Sequence, residues 1–236
     1  GSDAIGGVVN FITRKRFEGA EATARYGVAD NYKTFDANLT VGRAWDRGSA
    51  LISYAYAWHD NIQGIDRDYV TANNTQRGGT DLRSTACAPG NITLGALTFA
   101  LPGRLPGTLN RCDQTDYADI YPREERHSVF AAVQQEITDN LDFDAHAYWS
   151  RRDTTTLSAQ GSTSGVITAA NPYFRTIAGE PAQSVAFAFD QVFGPSAKSE
   201  AQFETYGVTP TLTFRFGKDW RLQAQANLGR SENEEI

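Results

Sequence analysis

From residue 18 onward, apolar and polar side chains alternate one by one through successive stretches of the chain. In EGAEATARYG, Ala20, Ala22, Ala24 and Tyr26 fall on one side and Glu21, Thr23 and Arg25 on the other. TFDANLTVGRAW groups Phe35, Ala37, Leu39, Val41 and Trp45, interrupted by Arg43, and ALISYAYAWHD groups Ile52, Tyr54, Tyr56 and Trp58. The pattern returns with Val129, Ala131, Val133 and Ile137, and then with Leu141, Phe143, Ala145, Ala147 and Trp149. It closes with Tyr206, Val208, Leu212, Phe214 and Phe216, followed by Trp220, Leu222, Ala224, Ala226 and Leu228. A period of 3.6 would scatter each set around a cylinder, whereas a period of two places it on one face of a strand. Seven β-strands are predicted. Pro210 in the sixth has no N–H to give to a ladder, so a bulge or a locally missing hydrogen bond is expected there.

The connections carry more information than the strands. Asp46-Arg47-Gly48, Asp139-Asn140 and Gly217-Lys218-Asp219 read as tight turns at every second junction. Between them the spacing is far longer: roughly sixty residues from Ile62 to Glu125 and roughly forty from Ala159 to Phe203, lengths uncommon inside compact domains. One end of the sheet is trimmed and the other elaborated, as in outer-membrane barrels with short periplasmic turns and long extracellular loops. Trp45, Phe216 and Trp220 fall near the tight turns and Tyr26, Trp58 and Trp149 near the loop ends, as two aromatic girdles require. The opposite faces hold Asp36, Asn38, Thr40, Gln134, Glu136, Asp142, Asp144, His146, Thr211, Thr213, Arg215, Gln223, Gln225 and Asn227, too polar for a protein core. A soluble sandwich would present a similar apolar face to a partner sheet, and periodicity alone leaves that alternative open; the alternation of loop lengths favours the barrel.

Composition narrows the classes. No apolar run approaches the ~18 residues of a membrane-spanning helix, and the mean hydropathy of −0.45 is that of a polar chain; neither bears on a barrel, whose strands need only one apolar face. With 28 acidic and 22 basic residues the net charge is −6, without the basic surface that phosphate backbones demand, so nucleic acid is not an expected partner. The chain has no Met, so its first residue is not a translation start and it reads as a fragment without a signal peptide.

The opening GSDAIGGVVNFITRKRFEG sharpens this. Gly1 to Thr13 resemble, residue by residue, the end of the plug domain of TonB-dependent outer-membrane receptors: a glycine-rich run, an apolar strand and an exit to the barrel. The rival reading of Gly6-Gly7 as a phosphate loop lacks both the GxxxxGK and the GxGxxG spacing. Gly1-Ser2 alone also fits a cloning remnant. The resemblance implies an all-β, antiparallel transmembrane β-barrel fragment, about seven strands of the family's barrel of about 22 strands with a plugged lumen. Residues 1–16 would be the C-terminal end of the plug and 17–236 the N-terminal part of the barrel, with long extracellular loops at about 63–124 and 160–202. It further implies a receptor of the Gram-negative outer membrane, in contact with its lipid and with the inner-membrane TonB complex through plug segments absent here. Its function would be energy-dependent uptake of a scarce nutrient, such as a metal chelate or siderophore, a vitamin or an oligosaccharide. A passive porin, an enzyme barrel and a secreted β-sandwich adhesion module are the alternatives.

No set of side chains asks for covalent chemistry or a cofactor, and an enzyme is not expected. GSTSG at Gly161 to Gly165 has Thr163 where a nucleophile elbow needs Ser, and reads as a flexible loop. His59, His127 and His146 lie on three strands without metal-ligand spacing. Asp66, Asp68, Asp113, Asp116 and Asp119 lack calcium-loop order and read as solvated carboxylates. DYADIYPRE and NPYFR combine aromatics with arginine in the long loops, where binding residues concentrate. Tyr117, Tyr121, Arg123, Tyr173, Phe174 and Arg175 are therefore the candidate ligand contacts, the alternative being that they pack loop against loop. Cys87 and Cys112, the only cysteines, are expected to form a disulfide inside the first long loop, since the barrel reading places them in an oxidising compartment. Free thiols and a metal pair are the rivals.

Overall fold

The computed structural model describes residues 16–235; the plug-like opening from Gly1 to Thr13 lies outside them. Fourteen strands follow in chain order: β1 (Gly19–Ala29), β2 (Tyr32–Trp45), β3 (Gly48–His59), β4 (Ile62–Gln63), β5 (Asn91–Leu94), β6 (Leu97–Ala100), β7 (Asp119–Tyr121), β8 (Arg123–Thr138), β9 (Leu141–Ala159), β10 (Ser162–Thr168), β11 (Ala182–Ala188), β12 (Ser196–Phe216), β13 (Trp220–Gln225) and β14 (Leu228–Glu235). Eight of them form one antiparallel sheet in the order β1-β2-β3-β8-β9-β12-β13, with β14 also on β12. The sheet is all next-neighbour hairpins and does not close on itself.

β13 and β14 continue a single register along β12, since Thr211 faces Gln225 and Val208 faces Leu228. The nick between them is Pro210. The Ala226 N–H donates to the Pro210 carbonyl at 3.1 Å, but Pro210 has no N–H to return the bond. The outcome is a missing hydrogen bond without a bulge, and the sheet has seven rungs.

The registers align the apolar sets across every rung. Ala22 faces Leu39, Leu39 faces Tyr54 and Tyr54 faces Val129; Val129 faces Trp149, which faces Tyr206. Because the side-chain period is two, these pairings put all the apolar sets on one continuous face. Among the described residues nothing covers that face: Ile52 is 54% exposed, Leu212 44% and Leu222 62%. The aromatic tips at its margins find polar partners. Trp45 Nε1 donates to Gln135 Oε1 at 2.9 Å near the tight turns, and Trp149 Nε1 to Glu204 Oε1 at 2.9 Å near the other end.

Two connections at the trimmed end are two-residue turns, with Trp45 opposite Gly48 and Thr138 opposite Leu141, and the third joins Phe216 to Trp220 through three residues. The elaborated end differs from expectation in several places. Its first connection, Asp30-Asn31, is also a tight turn, made possible by Asn31 at φ 49°, a conformation asparagine tolerates. The second segment read as loop, 160–202, ends earlier, because β12 starts at Ser196 and pairs with β9 out to Ala159.

The remaining long segments are not open loops. β5 and β6 from the first and β10 and β11 from the second form one four-stranded sheet in the order β10-β11-β5-β6. GSTSG therefore opens a strand rather than a flexible loop, because Ser162 to Thr168 pair along their whole length with β11. Among the described residues the buried apolar side chains are Cys87, Ile92, Phe99 and Ala188, all within this small domain. Cys87 and Cys112 are joined by a disulfide with Cα atoms 5.7 Å apart. The Ala188 N–H donates to the Cys87 carbonyl at 3.0 Å, so the stapled segment also ties the first long connection to the second.

Candidate binding surface at the elaborated end

Side chains from four segments meet in two groups, one on each face, where the long connections leave the sheet. The Tyr121 ring at the end of β7 stacks on His59 at the end of β3, with centroids 4.5 Å apart and planes at 20°. Tyr32, the first residue of β2, stands 6.2 Å from Tyr121 and 6.1 Å from His59. Arg123, opening β8, places its guanidinium 5.7 Å from the Trp58 ring, a cation–π arrangement. Strand order brings these together: β3 and β8 are neighbours, and β4 pairs with β7 just above them.

Tyr117 ends the 3₁₀ turn Gln114–Tyr117. Its carbonyl accepts from Ser196 Oγ at 2.9 Å and Gln63 Nε2 at 3.4 Å, while its side chain is part-exposed. Tyr121 belongs to the aromatic cluster with Tyr32 and His59, whereas Arg123 stands with Trp58 on the opposite, apolar face. Tyr173, Phe174 and Arg175 lie apart, in the connection between β10 and β11. Tyr173 is 84% exposed, and the Arg175 carbonyl is held by the buried amide of Gln183 at 2.6 Å. Among the described residues no hydrogen bond or ring contact links the two groups of candidates. The candidates do not form one surface.

Several loop carboxylates are not merely solvated. Asp113 accepts from Thr71 Oγ1 at 2.7 Å, the Ala72 N–H at 2.8 Å and the Thr115 N–H at 3.1 Å. Asp119 accepts from the Leu157 N–H and from Asn61 Nδ2, each at 2.7 Å. Asp66 accepts from the Gln63 N–H at 3.0 Å and Asn31 Nδ2 at 2.9 Å. Irregular backbone leaves N–H groups without ladder partners, and these acceptors satisfy them. Burial pushes the Asp113 carboxyl up, but the hydrogen bonds from Thr115, Thr71 and Ala72 outweigh it and hold it below the usual range. Burial, with the charge of Asp113, raises Asp116.

Sequence reasoning missed Tyr32, which no motif marks, and placed His59 on a strand without metal-ligand spacing, with no sign of a stacking role. Both are found only through the β2–β3 register, which sets Thr34 opposite His59. It also missed the buried amides. Asn91 Nδ2 donates to the Asn110 carbonyl at 2.9 Å and its Oδ1 accepts the Asn110 N–H at 2.8 Å. Asn110 in turn donates to the carbonyls of Pro89, Gly90 and Leu101. Among the described residues no three His, Cys, Asp or Glu side chains are grouped as metal ligands, and no helix is long and apolar enough to cross a membrane, which says nothing of strands. Chemically, the Tyr32, His59 and Tyr121 cluster offers stacking faces beside a polar wall. Compared with known proteins, the chain matches no family model, no curated protein and no solved structure.

Proposed function

We propose that this chain is the early part of a TonB-dependent outer-membrane receptor, taking up a scarce nutrient such as a metal chelate, vitamin or oligosaccharide. The observation that carries the reading is the uncovered apolar face, continuous over seven rungs and backed by a polar one. From Tyr206 to Phe216 that face runs ten residue steps along β12, about 34 Å at ~3.4 Å per residue. At a strand tilt of ~40° its height is about 26 Å, close to the ~25 Å apolar band of outer-membrane barrels. A soluble sandwich would instead need a second sheet of the same extent to cover it.

The long connections emerge at one end and carry the stacked aromatics and the stapled domain. A ligand arriving there meets Tyr32, His59 and Tyr121 at the top of the polar face. The resemblance of Gly1 to Thr13 to a plug terminus supplies the energy coupling in this reading; transport requires no bond to be made or broken. Lipid meets the apolar face, and the inner-membrane TonB complex acts through plug segments.

Two measurements on the full-length protein in its own cells test this. The protein should fractionate with outer membranes and migrate differently on gels before and after boiling. Uptake of the nutrient that restores growth of a deletion strain should cease when TonB is deleted. A protein recovered soluble without detergent refutes the barrel; uptake unchanged without TonB refutes the coupling and leaves a passive pore.

A further inference from the structure

We infer that the polar face carries a subsite for an oxyanion, a ligand bearing carboxylate or phosphate groups, built from Arg25 and Arg126 with Arg152 next to them on the same row. This rests on the transport reading above and narrows its substrate class. The registers bring the three arginines onto one row. Arg25 on β1 faces Asp36, Asp36 faces Ala57, Ala57 faces Arg126 and Arg126 faces Arg152. Directly opposed residues share a face, and the row continues to Phe203, opposite Arg152, where the Arg152 guanidinium lies 4.5 Å from the ring centroid.

Three guanidiniums and one carboxylate give this row a charge of +2 in a chain whose net charge is −6. Like charges directly opposite each other destabilise a sheet, so the Arg126–Arg152 pair asks for an anion. Among the described residues none of the three arginines sits in an ion pair, although eight other ion pairs are formed elsewhere. Arg152 Nε is out of contact with solvent and has no hydrogen-bond acceptor. The next row toward the loops holds His59, Glu124 and Glu235, and the row below is uncharged, with Thr23, Asn38, Ala55, Ser128 and Ser150.

Room for the ligand is present. A hollow of about 340 Å³ opens on this face between Arg25 and Arg126, with Thr23, Asp36 and Asn38 at its sides. Ala55 and Ala57 form its floor, and their small side chains keep it open. Arg25 and Arg126 stand three strand spacings apart, about 14 Å, so a ligand with two or more anionic groups reaches both. Planar guanidiniums bind such groups in a two-pronged fashion.

The test is calorimetric titration of the full-length receptor in detergent with citrate, with pyrophosphate and with neutral maltotriose. Citrate or pyrophosphate should bind and maltotriose should not, and whichever anion binds tighter tells carboxylate from phosphate. Arg126→Gln with Arg152→Gln should weaken binding by at least about tenfold per guanidinium removed, while Arg104→Gln, far out in the first long connection, leaves it unchanged. Should the double variant fail to fold, Ala57→Asp sets a built-in carboxylate beside Arg126 and should lower anion affinity about tenfold. Absence of anion binding by the native receptor, or equal affinity in native and Ala57→Asp protein, overturns the subsite. That failure is separable from failure of the transport reading, which is decided by outer-membrane fractionation and TonB dependence regardless of the titration.

Discussion

Replacing Ile52 by arginine sets a guanidinium in the middle of the apolar face, between Val41 on β2 and Ala131 on β8. If that face meets lipid, the change costs ~2–4 kcal/mol near the midplane, or about 30- to 1,000-fold in the folding equilibrium. If the face meets water, the cost is far smaller. Ile52 is already 54% exposed, so only about half of the ~1.5–3 kcal/mol of a fully buried isoleucine is at stake, about 1 kcal/mol. Three residues along β3, Ala55 points to the opposite face into the hollow, and Ala55→Arg should cost under ~1 kcal/mol in either setting. The pair therefore measures the medium on each side of a single strand. Urea titration of the full-length protein folded into lipid vesicles, followed by tryptophan emission, gives both values. Equal losses at residues 52 and 55 would refute the assignment of faces, and a loss at 52 near 1 kcal/mol would refute lipid contact.

Three further outcomes are expected. Replacing Cys87 and Cys112 by serine frees a segment with sequence separation 25, which in the chain-entropy model costs about 3.5 kcal/mol of local stability; hydrogen exchange should accelerate across β5, β6 and β11 and leave β8 and β9 unchanged. Gly64→Ala should dislodge the 3₁₀ turn Gly64–Asp66, because a Cβ there would stand 1.9 Å from the Thr115 carbonyl oxygen; a loss of ~1–3 kcal/mol, read as rapid exchange of the Gly64 N–H that now donates to the Ala118 carbonyl, is the measurable result, and unchanged protection would contradict it. Asp81 is held down to about 2, first by the hydrogen bond from Arg83 and, against burial, by the charges of Arg83 and Arg111. A carboxyl depressed by folding contributes stability that is complete above its ordinary range and disappears as pH falls toward its folded value. Protease resistance of the segment around Asp81 should therefore decline between about pH 4 and pH 2, and Asp81→Asn should abolish that dependence.

Most of the main sheet was legible because its cause is local. The alternation in ALISYAYAWHD or LDFDAHAYW fixes a period of two, Asp46-Arg47 and Asp139-Asn140 supply turns, and consecutive hairpins leave one simple strand order. Even the nick in the last rung follows from Pro210, whose missing N–H is a property of the residue rather than of its surroundings. The long connections were opaque for the opposite reason. Strands β5, β6, β10 and β11 are short and weakly patterned, and they exist because hairpins far apart in the chain pair with each other. The same holds for Asp113, whose role depends on backbone N–H groups presented by Ala72 and Thr115, and for Tyr32, His59 and Tyr121, which stack only once β3 has met β8 and β4 has met β7. Arg25, Arg126 and Arg152 are unremarkable polar positions in the sequence, spread over more than a hundred residues. Period fixes which face a side chain occupies, but only register, a relation between strands, fixes which side chains share a row.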